Sequence, residues 1–238
     1  MNVDAIIFDK DGTLIDFDAF WVTVSVKSIK DILKILDMTN IPVCEILAHL
    51  GVHNGVTDID GVLCKGTYIQ MGQIIYNILK KYGCNISCEE TTKLVIDTYN
   101  KNADSGDIKP TCANLSEVLT TLKKQNKKLA VVTTDNQEIT HKCLKTLGIE
   151  HIFDKIYTYD GKTPLKPAPY CANDFAEITG IKKERIVMVG DTITDTHFAK
   201  NAGIMMIGVA KNEKNKALLM PYTDVIISEL SHLTDILN

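Results

Sequence analysis

The residues of this 238-residue chain best suited to chemistry are aspartates that follow short apolar runs. Asp9 and Asp11 come directly after Ala5-Ile6-Ile7-Phe8, with Lys10 between them and Gly12-Thr13 behind. Two carboxylates so spaced on a rigid strand end can bind a hard cation and can also divide nucleophile and acid/base duties. Gly12 permits a turn that a side chain would obstruct, and the Thr13 hydroxyl can tie that turn to the backbone. Asp191 follows Val187-Met188-Val189-Gly190, and Asp195 lies one helical turn on. With a helix starting at Thr192, both face one side and can serve the same cation. Thr133 and Thr134 follow Val131-Val132, and hydroxyls there, with backbone N–H groups at the start of the next helix, suit an oxyanion. Lys166 sits in Thr163-Pro164-Leu165-Lys166-Pro167-Ala168-Pro169. A residue before proline is held extended and Pro167 suits a helix's first turn, so this lysine is presented from a stiffened loop.

Each feature alone has a plainer explanation. Asp9 to Thr13 could be an acidic turn, Thr133 a capping residue, Lys166 a solvent-facing side chain, and Asp191 with Asp195 an N-cap and a first-turn acid. A calcium loop counted from Asp9 needs an oxygen ligand at its fifth position, Gly at its sixth and Glu at its twelfth. Thr13, Leu14 and Phe20 stand there, so that reading fails. Asp58-Ile59-Asp60-Gly61 mimics the first motif but follows the glycine-bearing stretch Gly51 to Thr57 instead of an apolar strand. His49 and His53 have helical spacing, yet Gly51 lies between them and no third zinc ligand is apparent. Phe20 and Trp21 read as packing residues.

The elements that must position these groups follow from periodicity. Ala5 to Phe8 reads as a strand buried on both faces, which puts Asp9 and Asp11 at its carboxyl end, where open α/β sheets place ligands. Residues 16–109 are predicted helical and without a strand, with helices over Val22–Leu36, Pro42–Ala48, Tyr68–Tyr82 and Ser87–Asn102, the last opened by a Ser87/Glu90 capping box. After Pro110 the pattern is βα: helix Asn114–Gln125, strand Leu129–Val132, a helix stopping at Gly148, a strand at Ile156-Tyr157, and a helix ending at Gly180. Strand Arg185–Val189, helix Thr194–Asn201, strands Met205–Val209 and Asp224–Ile227, and a terminal helix complete it. The expected class is α/β, a doubly wound parallel sheet in residues 1–15 and 110–238 interrupted by a helical domain at 16–109.

With 45% apolar and 24% charged residues the chain reads as an ordinary globular protein. A net charge of −4 gives no electrostatic reason to expect nucleic acid or an anionic membrane as partner. No apolar run is long enough to span a bilayer, and the N-terminus lacks the basic segment of a signal peptide. Seven singly scattered cysteines suggest neither a disulfide framework nor a zinc site and make the cytoplasm the expected compartment. The lysines at 123–128 and 211–216 read as solvated surface.

Taken together, Asp9-Lys10-Asp11-Gly12-Thr13, Thr133, Lys166-Pro167 and Gly190-Asp191-Thr192-Ile193-Thr194-Asp195 resemble, in order, the four motifs of the haloacid dehalogenase superfamily. The helical insert after the first motif resembles the C1-capped branch that includes phosphoglycolate phosphatases. The resemblance covers the Rossmann-like core and extends to the insert in position and helical character only. It implies that Asp9 is a nucleophile forming an aspartyl-phosphate and that Asp11 protonates the leaving oxygen and then activates water. It implies Mg2+ held by Asp9, the Asp11 backbone carbonyl, Asp191 and Asp195, with Gly12, Thr133, Thr134 and Lys166 around the phosphoryl group. The substrate it implies is a small phosphorylated metabolite, phosphoglycolate being the best single choice, with the protein a monomer or a homodimer. Asp11 sets the chain apart from dehalogenases and from P-type ATPases. A phosphomutase, or a non-catalytic binder of a phosphorylated ligand, is the alternative.

Overall fold

The computed structural model describes residues 1–223 and 225–237 and divides into two compact units, Met1–Asp16 with Ile108–Asn238, and Phe17–Asp107. In the first unit β1 (Ala5–Phe8) is buried at every residue, as a strand covered on both faces must be.

The unit Phe17–Asp107 begins with one turn of π-helix, Asp18–Val22, continued by α1 (Thr23–Ile35). Beyond it come α2 (Val43–His49), α3 (Val62–Lys65), α4 (Tyr68–Lys81) and α5 (Cys88–Asn102). The apolar stripe of α1, including Val24, Ile29, Ile32 and Leu33, is buried, and α1 and α4 both pack on α5. The expected Ser87/Glu90 capping box opens α5: Glu90 N–H donates to Ser87 Oγ at 3.1 Å and Ser87 N–H to Glu90 Oε2 at 2.8 Å. One expectation needs correcting, because the glycine-bearing stretch after α2 contains a small antiparallel hairpin, β2 (Val52–His53) with β3 (Val56–Thr57). Asn54 and Gly55 take left-handed φ values of 52° and 79°, the geometry in which an Asn-Gly pair closes a two-residue turn.

The first unit resumes with α6 (Leu115–Lys124), β4 (Lys128–Asn136), α7 (Gln137–Thr146), β5 (Lys155–Tyr159), α8 (Tyr170–Thr179) and β6 (Ile186–Gly190). It closes with α9 (Ile193–Ala202), β7 (Met205–Val209), α10 (Glu213–Leu219), β8 (Ile226–Ile227) and α11 (Leu233–Ile236). The sheet has the order β5-β4-β1-β6-β7-β8 and every pairing in it is parallel. From β1 the chain builds outward to β4 and β5 on one side and then to β6, β7 and β8 on the other. That reversal makes the carboxyl end of β1 the switch point, where such sheets open a crevice. Ala5, Ile7, Val132 and Met188 pack with Phe175 of α8 and Phe198 of α9, while the alternating residues Ile6, Phe8, Val131 and Val187 are buried on the other face.

Three boundaries differ from expectation. β4 runs on through Thr133 to Asn136, with a shift of pairing between Val132 and Asn136, so both threonines belong to the strand's last turn of pleat and do not follow it. α8 starts at Tyr170 after Pro169, which leaves Pro167 in the loop, joined to Lys166 by a cis peptide bond. The lysine-bearing stretch at 211–216 contributes most of α10. Of the strand expected over 224–227, Asp224 lies outside the described residues. Among the described residues no helix is long and apolar enough to cross a membrane.

Candidate active site

Sheet register brings the first part of the chemistry together. Phe8 is paired with Val131 of β4 and Val189 of β6. One step further the three strands present Asp9, Val132 and Gly190, and the next step presents Lys10, Thr133 and Asp191. The Asp9 N–H donates to the Val189 carbonyl at 2.9 Å, so β1 remains held to β6 up to its first acid.

Asp9, Asp191 and Asp195 each offer a carboxylate oxygen, and these oxygens lie within 4.8 Å of one another. Lys166 enters the same cluster from its loop. Its Nζ is ion-paired with Asp9 Oδ1 and donates to Asp195 Oδ1 at 2.7 Å, with both Lys166 and Asp195 buried. Burial opposes the lysine's charge, but Asp195 and Asp9 outweigh it and raise the lysine's pKa above its ordinary value. Burial pushes Asp9 up to about 7 against the pull of Lys166, with Asp195 and Asp11 adding to the rise. Asp191 is raised well above the usual carboxylate range by burial and then by Asp9 and Asp195. Three acids around one lysine are short of positive charge, and every donor is a hard oxygen. A divalent oxygen-seeking cation such as Mg2+ fits that set.

Local structure explains how each group is held. Asp195 is the first-turn acid of α9 and completes a capping box, its Oδ2 accepting from the Thr192 N–H at 3.0 Å and from Thr192 Oγ1 at 2.6 Å. The plainer reading of Asp195 as a first-turn acid and its membership of the acid cluster are therefore both true, whereas the N-cap of α9 is Thr192 and not Asp191. Thr13 was expected to tie its turn to the backbone. Instead its Oγ1 donates to Asp191 Oδ1 at 3.0 Å, just beyond the end of β6. Gly12 has φ +84°, and a Cβ there would lie 2.1 Å from Asp191 Oδ2. Only glycine allows both that conformation and that approach.

Asp11 stands apart from the trio. Its Oδ1 accepts from Lys10 Nζ at 2.7 Å, and the same ammonium lies 2.8 Å from Asp135 Oδ2 at the end of β4. Lys10 is wholly buried; burial opposes its charge, yet Asp11 and then Asp135 more than offset this and raise its pKa. Burial lifts Asp135 to about 6, with Asp11 adding and Lys10 opposing. The sequence reading missed Lys10 and Asp135. The signal available for the first was a lysine set between two acids at the end of a fully apolar strand. Thr133 is buried and its Oγ1 accepts from the Asp135 N–H at 3.1 Å, whereas Thr134 is exposed. The structure thus brings Asp9, Asp191, Asp195 and Lys166 into contact, sets Gly12 against Asp191, and leaves Asp11 on a separate lysine-centred pair.

The haloacid dehalogenase-like hydrolase family matches residues 65–209. The chain belongs to that family. The match takes in Thr133, Lys166, Asp191 and Asp195 and begins beyond the first acidic pair. The chain is 30% identical over 150 residues to the pyrophosphatase PpaX of Halalkalibacterium halodurans, covering 62% of this chain and 70% of that protein. It is 32% identical over 123 residues to the Bacillus mycoides PpaX, of which the match spans 57%. Among solved structures, a predicted phosphoglycolate phosphatase from Haemophilus somnus superposes with a TM-score of 0.74 at 20% identity, covering 100% of this chain and 99% of that one. A superfamily hydrolase of subfamily IA from Geobacter sulfurreducens gives 0.71 at 16% identity, covering 100% and 97%. At these identities the structural matches establish the family's fold, a Rossmann-like sheet accompanied by a helical cap.

Proposed function

We propose that the chain is a Mg2+-dependent phosphatase that hydrolyses a small phosphomonoester through an aspartyl-phosphate on Asp9. The observation that carries this reading is the Lys166 ammonium set between Asp9 and Asp195 inside a cluster of three carboxylates. Asp9 attacks phosphorus, the bond to the leaving oxygen breaks, and Asp11 gives that oxygen a proton. Asp11 then takes a proton from water as the water attacks the phosphorus, and Asp9 departs as a carboxylate. Lys166 has a third N–H beyond its two acids and, with the Thr133 hydroxyl, supplies donors for the phosphoryl oxygens. Asp9, Asp191, Asp195 and the Asp11 carbonyl would hold Mg2+, which supplies charge neutralisation between an anionic ester and an anionic nucleophile. Residues 16–109 serve as the cap that selects the substrate. Seven cysteines without a disulfide support a cytoplasmic setting.

Phosphoglycolate remains the preferred ester. The PpaX relatives favour a second reading, in which the same residues cleave pyrophosphate. The test is phosphate release from a panel of phosphomonoesters and pyrophosphate, with Mg2+ and with chelator. Metal-dependent release from one member supports the reading and names the substrate. Activity that requires an added bisphosphate and leaves phosphate on Asp9 would mark a phosphomutase, and no release from any member would return the chain to the binding alternative.

A further inference from the structure

We infer that Lys10 is a positioning residue: its ammonium, buried between Asp11 and Asp135, braces the end of β1 against the end of β4 and fixes the carboxylate that serves the leaving group. The inference rests on the phosphatase reading of Asp9 and Asp11.

Position 10 lies two residues beyond the fully apolar strand β1, after Asp9, and is itself 0% exposed. An apolar side chain could fill such a place without desolvating a charge, whereas a buried lysine is costly unless it is paired. Here both partners are close, Asp11 Oδ1 at 2.7 Å and Asp135 Oδ2 at 2.8 Å. The brace is anchored at each end. The Lys10 carbonyl accepts from the N–H groups of Leu14 and Ile15, both at 2.9 Å, which fixes its backbone in the turn. Asp135 donates its own N–H to Thr133 Oγ1 at 3.1 Å, which ties it to the hydroxyl offered to the phosphoryl group. Both acids of the brace are partly accessible, Asp11 with 18% and Asp135 with 16% of its side chain, and Asp11 is the one two residues from Asp9 in the chain. With Oδ1 taken by Lys10, Oδ2 is the oxygen that carries the proton to the leaving group. Without the lysine the carboxylate would swing freely about two side-chain torsions, and loss of alignment of a catalytic group lowers the rate steeply.

Leaving-group dependence separates this role from simple structural support. An alkoxide must be protonated as it leaves, while p-nitrophenolate departs without help. The quantity to read is kcat/KM, which reports transfer to Asp9 before the hydrolysis step that all substrates share. With the best alkyl phosphate of the panel, Lys10→Met should lower kcat/KM about 10- to 100-fold, a part of the usual value of a general acid. With p-nitrophenyl phosphate the loss should stay under about threefold. Asp135→Asn keeps the lysine and guards against a misfolded Lys10 variant; it should show the same asymmetry at smaller size. Added to Asp11→Asn, Lys10→Met should cause no further loss with the alkyl ester, since it acts only through that carboxylate. Equal losses on both substrates, additivity with Asp11→Asn, or an unchanged alkyl rate in both variants would overturn the inference while the parent's phosphatase activity stands. A parent chain inactive on the whole panel would instead remove the reading beneath it.

Discussion

The chain writes Asp-x-Asp-Gly twice, and the two copies end in opposite environments. Asp9-Lys10-Asp11-Gly12 follows a fully buried strand at the centre of a parallel sheet, and its first acid meets Asp191, Asp195 and Lys166, which arrive from β6, α9 and a distant loop. Asp58-Ile59-Asp60-Gly61 follows a two-residue strand of a hairpin. There Asp58 Oδ1 accepts the N–H of Asp60, only two residues on, and Asp60 pairs with Lys65 on the surface. The glycines differ too. Gly12 needs a left-handed φ of +84°, while Gly61 sits at −69° as the N-cap of α3. Two carboxylates at a given spacing are therefore not a site. The first pair differs because the sheet buries its first acid and brings other charges to both. The second satisfies itself locally, as an acidic turn ordinarily does.

The largest test of this contrast is the pair of variants Asp9→Asn and Asp58→Asn. Asp9→Asn should lower kcat by about a thousandfold or more while the protein still melts cooperatively, since the amide cannot attack phosphorus. Asp58→Asn keeps an oxygen for the Asp60 N–H and should leave kcat within about threefold. Comparable losses in both would mean that the second tetrad also serves the chemistry. Next in size is the metal. A saturating divalent cation at about 100 times its dissociation constant should raise unfolding stability by about 2.7 kcal/mol. Most of that increment should vanish in Asp191→Asn and survive in Asp60→Asn. Thermal melts with Mg2+ and with chelator measure it without reference to turnover, and a rise that persists in Asp191→Asn would place the cation elsewhere. A third comparison uses the glycines. Gly12→Ala must push a methyl into the Asp191 carboxylate from a strained backbone, costing about 1–3 kcal/mol and disturbing the acid cluster as well. In Gly61→Ala the Cβ would come within 2.9 Å of Gly51 Cα and the Asp58 carbonyl oxygen. It should cost a similar overpacking energy but leave the metal's stabilising increment intact.

The contrast also explains what was legible in sequence. The doubly wound sheet could be read because β1 and β6 are continuous apolar runs that end in acids, and burial on both faces leaves little choice of composition. Asp9 and Asp191 were legible because each follows an apolar run, Asp195 because it lies one helical turn beyond Asp191, and Lys166 because it sits in a proline-stiffened loop. The hairpin at Val52–Thr57 was missed because each strand is only two residues long and its one signal is the Asn54-Gly55 turn. Periodicity needs more residues than that to register. The Thr13–Asp191 bond and the Lys10–Asp135 pair were missed because they join positions 178 and 125 residues apart, and only the register of the sheet brings them level.

The smallest effect comes from a carboxylate between these extremes. Asp154 lies in the core unit away from the acid cluster, and its oxygens accept from Lys123 Nζ at 2.6 Å, the Leu129 N–H at 2.8 Å and Lys128 Nζ at 3.3 Å. Partial burial works to raise its pKa, but those donors outweigh it and hold the carboxyl below its ordinary value of 3.8, opposite in sign to Asp9 and Asp191. A group whose folded pKa is depressed contributes stability that is fully present above the unfolded value and is lost as pH falls through the folded one. Asp154→Asn should therefore lower stability at pH 7, by less than about 1 kcal/mol because both lysines are partly exposed to screening solvent. That deficit should shrink as pH falls below about 4, where the parent's own carboxylate is being protonated. Urea unfolding of both proteins at neutral and at acid pH measures the difference. A deficit unchanged at acid pH would assign it to the neutral bond with Leu129, and would show that the lysines around Asp154 add nothing measurable to the fold.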